Sequence, residues 1–293
     1  MKDSPQRSTL HVECATITFQ QAYPGNQFHC RLYAPRIARR AVPGSFVHVT
    51  CNPLRPMRRP LSILRVDAEE GWIELLYRVV GEGTALLAER RGGESLSLLG
   101  PVGNGFRPDT SHGARPLLIG GGVGMPPMLF LADRLRHHPG VEALALLGSE
   151  TGFPFSPTRS ALPVAGLDPA IDATAPLLEE WGVAGRLTSQ NGGDGIYRGW
   201  VTGLAQQWLE ALPETERSRV TLYACGPHPM LEACAALARQ FGLPCQVSLE
   251  EFMACAVGGC AGCTVEVTLA DGGKAMRRVC VDGPVFDAEA VFG

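Results

Sequence analysis

Four cysteines near the end of the chain are spaced to hold iron and sulfide. Cys255, Cys260 and Cys263 run Cys-x4-Cys-x2-Cys, and Cys280 follows after sixteen residues. This is the plant-type spacing of a 2Fe-2S cluster, with three thiolates on one tight loop and a fourth returning from farther on. Two bridged irons need two thiolates each. The loop must also bend sharply and aim N–H groups at sulfur, which Gly258, Gly259 and Gly262 permit. Zinc also accepts four thiolates, but its structural sites more often use two paired C-x2-C knuckles. The cluster is the stronger reading. Cys14, Cys30, Cys51, Cys234 and Cys245 are expected to be small core residues.

Two further segments suit a nucleotide. Leu117–Ile119 leads through Gly120, Gly121, Gly122, Val123 and Gly124 into Met125, a strand, a glycine loop and a helix start. A pyrophosphate needs close backbone approach and the positive end of a helix, and this order offers both. The full G-x-G-x-x-G fingerprint is broken by Pro127. Cys225-Gly226-Pro227 ends another parallel strand, on the rim where ligands bind in open α/β sheets. Arg59-Pro60-Leu61-Ser62 opens a strand, and Tyr77-Arg78 ends one before Gly81-Glu82-Gly83-Thr84. Arginine and serine suit phosphate, Thr84 can cap a helix, and Tyr77 can stack on a ring.

The elements that must position these residues follow from pattern and composition. The chain has 293 residues, enough for about two domains and a small third module. Its net charge of −3 excludes the basic surplus of a nucleic-acid binder. Gly (35) and Pro (23) are abundant, which suits short strands joined by tight turns. The longest uncharged run, Pro116–Ala132, is interrupted by prolines and glycines and is too short to span a membrane. With no signal peptide visible, a cytoplasmic protein with no membrane partner is expected. Residues 9–99 alternate in short segments (Thr9–Phe19, Phe28–Ala34, Ser45–Cys51, Leu61–Val66, Trp72–Val80), which predicts an antiparallel β-barrel with a helix over Thr84–Arg90. From about residue 107, strands at Pro116–Ile119, Val141–Leu147 and Val220–Ala224 alternate with helices at Met125–His137 and His228–Phe241. That predicts an α/β parallel-sheet domain with helices on both faces. Elements within 149–196 are not assigned. Short strands are expected at Thr264–Leu269 and Arg277–Cys280.

In combination, the R-P-L-S, G-E-G-T, G-G-G-V-G and C-G-P segments resemble the ferredoxin–NADP⁺ reductase superfamily. Glu251–Cys255, the cysteine spacing and Val279–Phe286 are similar to the electron transfer subunit of class 1B dihydroorotate dehydrogenase, as is the junction Gly100–Phe106. The resemblance covers nearly the whole chain. It implies an α+β multidomain protein: a FAD-binding barrel over 1–107, a NAD-binding domain over 108–245 and a 2Fe-2S module over 246–293. It implies that Arg59, Pro60, Leu61 and Ser62 contact the flavin and its phosphates. Leu76, Tyr77 and Arg78 line the isoalloxazine and ribityl side, and Gly83 and Thr84 hold the pyrophosphate. Gly120, Gly121, Gly122, Gly124, Cys225 and Gly226 face the nicotinamide nucleotide. The implied partner is an FMN-containing dihydroorotate dehydrogenase catalytic subunit, in a heterotetramer, with electrons running from FMN through the cluster and FAD to NAD⁺. A flavin is required between the others because NAD⁺ takes two electrons at once and a cluster passes one. No general base or nucleophile is expected; Cys225 is at most a positioning group. Met253, Val257 and Ala261 are candidates for the partner-facing patch. The alternatives are the reductase subunit of a sulfhydrogenase or a ferredoxin:NADP⁺ oxidoreductase, and a non-enzymatic zinc-stapled nucleotide-binding module. Asn191–Gly195 loosely resembles the family's T-x-D-G loop. The long gap before Cys280 is expected to lengthen a turn at Asp271-Gly272-Gly273.

Overall fold

The structure, a computed structural model, describes residues 10–293; Thr9, at the start of the first expected strand, lies outside the described residues. Six strands close an antiparallel barrel: β1 (His11–Tyr23), β2 (Gln27–Tyr33), β3 (Phe46–Thr50), β4 (Arg59–Asp67), β5 (Trp72–Arg78) and β6 (Ser95–Val102), in the order β1-β2-β5-β4-β3-β6. Alternation fills the barrel from every strand. Ile17, Leu32, Val47, Val49, Ile63, Ile73, Leu75 and Leu98 are buried inside it together with Tyr77. Helix α1 (Pro35–Ala38) follows β2, and α2 (Glu82–Ala88) precedes β6. Thr84 was expected to begin the second of these helices. Instead Gly81 is the N-cap, and the Thr84 Oγ1, one turn in, accepts the N–H groups of Val80 (3.0 Å) and Gly81 (3.3 Å). A threonine reaching back in this way satisfies amides that the helix start leaves without partners.

The second sheet begins with β7 (Arg115–Gly121), continued by a 3₁₀ turn at Gly122–Gly124 and α3 (Met125–Leu135). Then come β8 (Leu144–Gly148), the small ribbon of β9 (Thr158–Arg159) and β10 (Ala173–Thr174), α4 (Pro176–Glu180), β11 (Ala184–Ser189) and β12 (Tyr197–Arg198). Helices α5 (Val201–Ala211) and α6 (Glu214–Arg217) lead to β13 (Val220–Cys225), α7 (His228–Phe241) and β14 (Cys245–Ser248). The two faces of the sheet are read off β7. Leu117 and Ile119 join one apolar cluster with α5 and α7, and Leu118 joins the other with α3. Burial on both faces is the mark of a parallel sheet covered by helices.

The tail contributes the hairpin β15 (Thr264–Thr268) and β16 (Lys274–Arg278), then β17 (Val285–Asp287) and α8 (Ala288–Phe292). The hairpin turn is closed by the Leu269 N–H on the Gly273 carbonyl (2.7 Å) and by Asp271, so the extra residues before Cys280 lie in a turn. β17 pairs antiparallel with β14 and completes the order β12-β11-β8-β7-β13-β14-β17. The tail has no core of its own: Ala256, Cys263, Val279, Cys280 and Ala288 pack in the same cluster as the sheet residues Leu222 and Val247. A boundary drawn at 245/246 falls inside β14.

Candidate functional site

The four cysteines lie side by side: Cys260 neighbours Cys255, and Cys280 neighbours both Cys263 and Cys255. Two thiols per metal is the donor count of a two-iron cluster. The loop between them curls through left-handed residues at Ala256, Gly258 and Ala261 (φ 56°, 77° and 53°). Alanine in that region is strained, and strain held by the surrounding structure is common at functional loops. The curl turns amides towards sulfur: those of Val257, Gly259 and Cys260 face Cys255 and that of Gly258 faces Cys280, and the Gly262 N–H donates to Cys260 at 3.5 Å. At Cys255 burial pushes the thiol up, yet these donors bring it down to about 7. At Cys280 burial and the adjacent Cys263 push it up to about 12. This donor set fits 2Fe-2S.

The cluster loop is held against the barrel by the two segments singled out at its ends. The Asn104 N–H donates to the Gly283 carbonyl (2.6 Å), and its amide Nδ2 donates to the carbonyls of Val281 and Asp282 (both 3.1 Å). Gly103 lies so close to Pro284 that a Cβ there would strike the ring. The Gly100–Phe106 junction therefore docks on the Val279–Phe286 segment. Just before the latter, the Arg278 N–H donates to Asp282 Oδ2 (2.7 Å), and the guanidinium reaches the Gly258 carbonyl (3.1 Å).

The flavin-directed residues fall together at one end of β4 and β5. A Cβ on Gly83 would lie 2.7 Å from Arg59 Nε, so the R-P-L-S strand and the start of α2 are in contact. Arg59, Pro60, Leu61 and Ser62 are all half-buried, and Arg78 is exposed at the end of β5. Leu76 lies on the barrel's outer face, in the cluster that includes α3. Tyr77 departs from the expectation that its ring stacks on a ligand. It is 2% exposed, stacks on Phe28 at 5.5 Å and donates its hydroxyl to Gln20 (3.2 Å). On β5 its side chain alternates inward, away from Leu76 and Arg78.

The glycine loop and the Cys-Gly-Pro turn are direct neighbours. Gly120 pairs with Cys225 in the sheet, and a Cβ on Gly124 would collide with the Cys225 carbonyl. Beside them a cavity of about 520 Å³ opens at the carboxyl ends of β7, β8 and β11, lined by Gly121, Gly122, Ser149, Thr188, Trp200 and Met230, among others. β8 lies on one side of β7 and β13 on the other, so the order reverses here, the usual ligand position in such sheets. The expected helix-end cradle is reduced, because Pro126 and Pro127 remove two amides from the first turn of α3. Val201 and Thr202, opening α5, face the cavity and keep theirs. Cys225 is 1% exposed; burial, then the nearby Glu250 charge, push its thiol up, so it stays protonated at neutral pH. In the expected Asn191–Gly195 loop, Asp194 pairs instead with Arg159 (2.6 Å), and Thr188, Ser189 and Gln190 line the cavity. Sequence reasoning missed Glu250, which shares the cavity with Arg78. Burial raises its carboxyl, and the Arg78 charge opposes that. Its place just beyond the end of β14 was the available signal.

The profile of the iron–sulfur cluster binding domain of dihydroorotate dehydrogenase B matches residues 250–292. The dihydroorotate dehydrogenase B (NAD(+)) electron transfer subunit of Geobacillus thermodenitrificans is 35% identical over 286 residues, covering 95% of this chain and 98% of that one. That of Bacillus caldolyticus is 34% identical over 285 residues, with the same coverage. Among solved structures, the NADH-dependent reduced ferredoxin-NADP oxidoreductase is similar at TM-score 0.75 and 26% identity, over 96% of this chain and 90% of that one. Phthalate dioxygenase reductase, at TM-score 0.56 and 15% identity over 94% of this chain and 78% of that one, shares the fold. With relatives this similar over almost the full length of both chains, the protein belongs to the family of dihydroorotate dehydrogenase B electron transfer subunits.

Proposed function

We propose that this chain accepts electrons from an FMN-containing dihydroorotate dehydrogenase catalytic subunit and delivers them to NAD⁺, in the cytoplasm, for pyrimidine biosynthesis. The observation that carries this reading is the four thiols in their amide-lined loop, docked on a flavin-type barrel beside a nucleotide cavity. When bound, the 2Fe-2S cluster supplies one-electron transfer, and FAD supplies the exchange between two single electrons and one hydride. The chain's own residues bind and orient. Cys255, Cys260, Cys263 and Cys280 would hold the cluster, with the loop amides stabilising the sulfur charge. Arg59 and Ser62 would hold flavin phosphate, with Gly83 and Thr84 presenting the backbone of α2 beside them. Gly121, Gly122 and Gly124 let the nicotinamide nucleotide approach the backbone, and Cys225 packs behind it. Residues 1–107, 108–245 and 246–293 are the corresponding functional units, although the last two share a core. No helix among the described residues is long and apolar enough to cross a membrane.

The partner meets the face that carries the cluster. Val257 (46% exposed) and Ala261 stand out there, whereas Met253 is half-buried against the core. Phe252, at 95% exposed, joins that face. The test is analysis of anaerobically purified protein. Two irons, two acid-labile sulfides and one FAD per chain are expected, and Cys260→Ser should lose the cluster while keeping FAD. Stoichiometric zinc without sulfide would overturn the reading.

A further inference from the structure

The chain has four tryptophans, and three of them carry a guanidinium over the ring: Arg31 and Arg65 at Trp72, Arg136 at Trp181, and Arg115 at Trp208. Trp200 carries none. Among the described residues its indole enters no hydrogen bond, ring contact or cation–π contact, and it is 61% exposed. Single apolar residues are common on protein surfaces. This one lines the nucleotide cavity, together with Thr188, Ser189 and Gln190 at the end of β11.

The backbone fixes it there. The Gly199 N–H donates to the Ser189 carbonyl (3.0 Å), and the Trp200 carbonyl accepts from Gly203 (3.0 Å) and Leu204 (3.3 Å) at the start of α5. Gly199 has φ 148°, and a Cβ on it would lie 2.8 Å from the Tyr197 ring, so the chain can turn here only at glycine. The turn separates two aromatic residues. Tyr197 packs against the sheet core, its hydroxyl accepting from Gln207 (2.8 Å), while Trp200 is left at the cavity. The cavity runs along the sheet edge from the end of β11 to Glu250, just beyond β14. That is four strand spacings, about 19 Å. With the nicotinamide at the β13 end, where Cys225 packs, and the pyrophosphate over the β7 glycines, the adenosine half extends to β11 and Trp200.

We propose that Trp200 is the platform for the adenine base of the nicotinamide dinucleotide, which lies on the open face of the indole. This rests on the reading of that cavity as the NAD⁺ site. A purine on an indole buries two flat apolar faces at once, and a tryptophan loses only two side-chain rotations in receiving it. The adenosine half takes no part in hydride transfer. Its stacking energy therefore holds the dinucleotide while the nicotinamide reacts at the other end of the cavity.

The test uses holoprotein with Trp200→Ala, which removes the ring, and Trp200→Phe, which keeps a smaller one. Binding of ADP-ribose, which lacks nicotinamide, is measured by calorimetry. Flavin reduction is measured with NADH and with reduced nicotinamide mononucleotide, which lacks adenosine. The Ala variant is expected to bind ADP-ribose about tenfold more weakly, within the range of base stacking on an aromatic side chain. Its ratio of kcat/KM for NADH over the mononucleotide should fall by the same factor. The Phe variant should recover most of both. Wild-type ADP-ribose affinity in the Ala variant would overturn the proposal. So would an equal fall in kcat/KM with both reductants, which would make Trp200 a support for the cavity as a whole. Wild-type protein that binds no ADP-ribose would contradict the NAD⁺ site itself, and this proposal with it.

Discussion

A buried neutral imidazole leaves a mark on stability against pH. The pKa of His48 is lowered by burial, chiefly, from 6.5 to about 4. Between those values the unfolded chain binds a proton that the folded protein refuses. Stability is therefore lost as pH falls from 6.5 to 4, by at most about 3 kcal/mol. Urea titrations across this window should show that slope, and His48→Phe should remove it. Glu74 works lower on the scale. It is 1% exposed, within 3.3 Å of His29 and 2.9 Å of Arg65, with Arg31 at 2.7 Å. Burial raises its pKa, but the hydrogen bonds and charges of His29 and Arg65 more than offset this and bring it to about 2. Its contribution is present above pH 4.5 and is lost as pH falls towards 2. Glu74→Gln should cost about 3 kcal/mol at pH 7 by leaving the buried ends of Arg31 and Arg65 without their carboxylate. The deficit should shrink on acidification; a pH-independent deficit would contradict this.

Between elements, the glycine loop and the Asn104 junction make separable claims. A methyl at Gly124 must displace the Cys225 peptide, next to the glycines that line the cavity. Gly124→Ala should raise KM for NAD⁺ at least about tenfold, while the flavin spectrum and iron content stay unchanged. Asn104→Ala removes two hydrogen bonds to the segment after Cys280 and should cost about 1–3 kcal/mol. It should also speed iron loss to a chelator, measured by bleaching of the visible spectrum. The barrel strands, α7 and the cluster spacing were legible in the sequence because each depends on local alternation, helix period or fixed ligand offsets. β11 was not. Its Gly185 and Arg186 break the apolar run, and the guanidinium of Arg186 is buried only because the carbonyls of Gly185 and Leu162 accept from it. That is a tertiary arrangement with no local signature. The inward turn of Tyr77 was missed for a similar reason: motif order places the residue beside the flavin strand, but strand parity decides which way its ring faces. The return of β17 to β14 was equally hidden, since three residues carry no period.

For the whole molecule, one chain brings a cluster loop, a flavin barrel and a nucleotide cavity onto shared packing. The tail's apolar residues lie in the core of the parallel sheet, and Asn104 fastens the same tail to the barrel. Unfolding should accordingly be a single transition by circular dichroism, with the visible absorbance of the cluster lost in step. Phe252→Asp, at a side chain 95% exposed, should leave that transition in place yet weaken assembly with the FMN subunit by about tenfold or more in Kd. Unchanged Kd would remove Phe252 from the partner face. The most direct measurement is anaerobic reduction of NAD⁺ by dihydroorotate with the FMN subunit alone and with this chain added. NADH should form, one per orotate, only when this chain is present, and Cys260→Ser should abolish it. Equal NADH formation without this chain, or undiminished formation by the Cys260→Ser protein, would contradict the role assigned here.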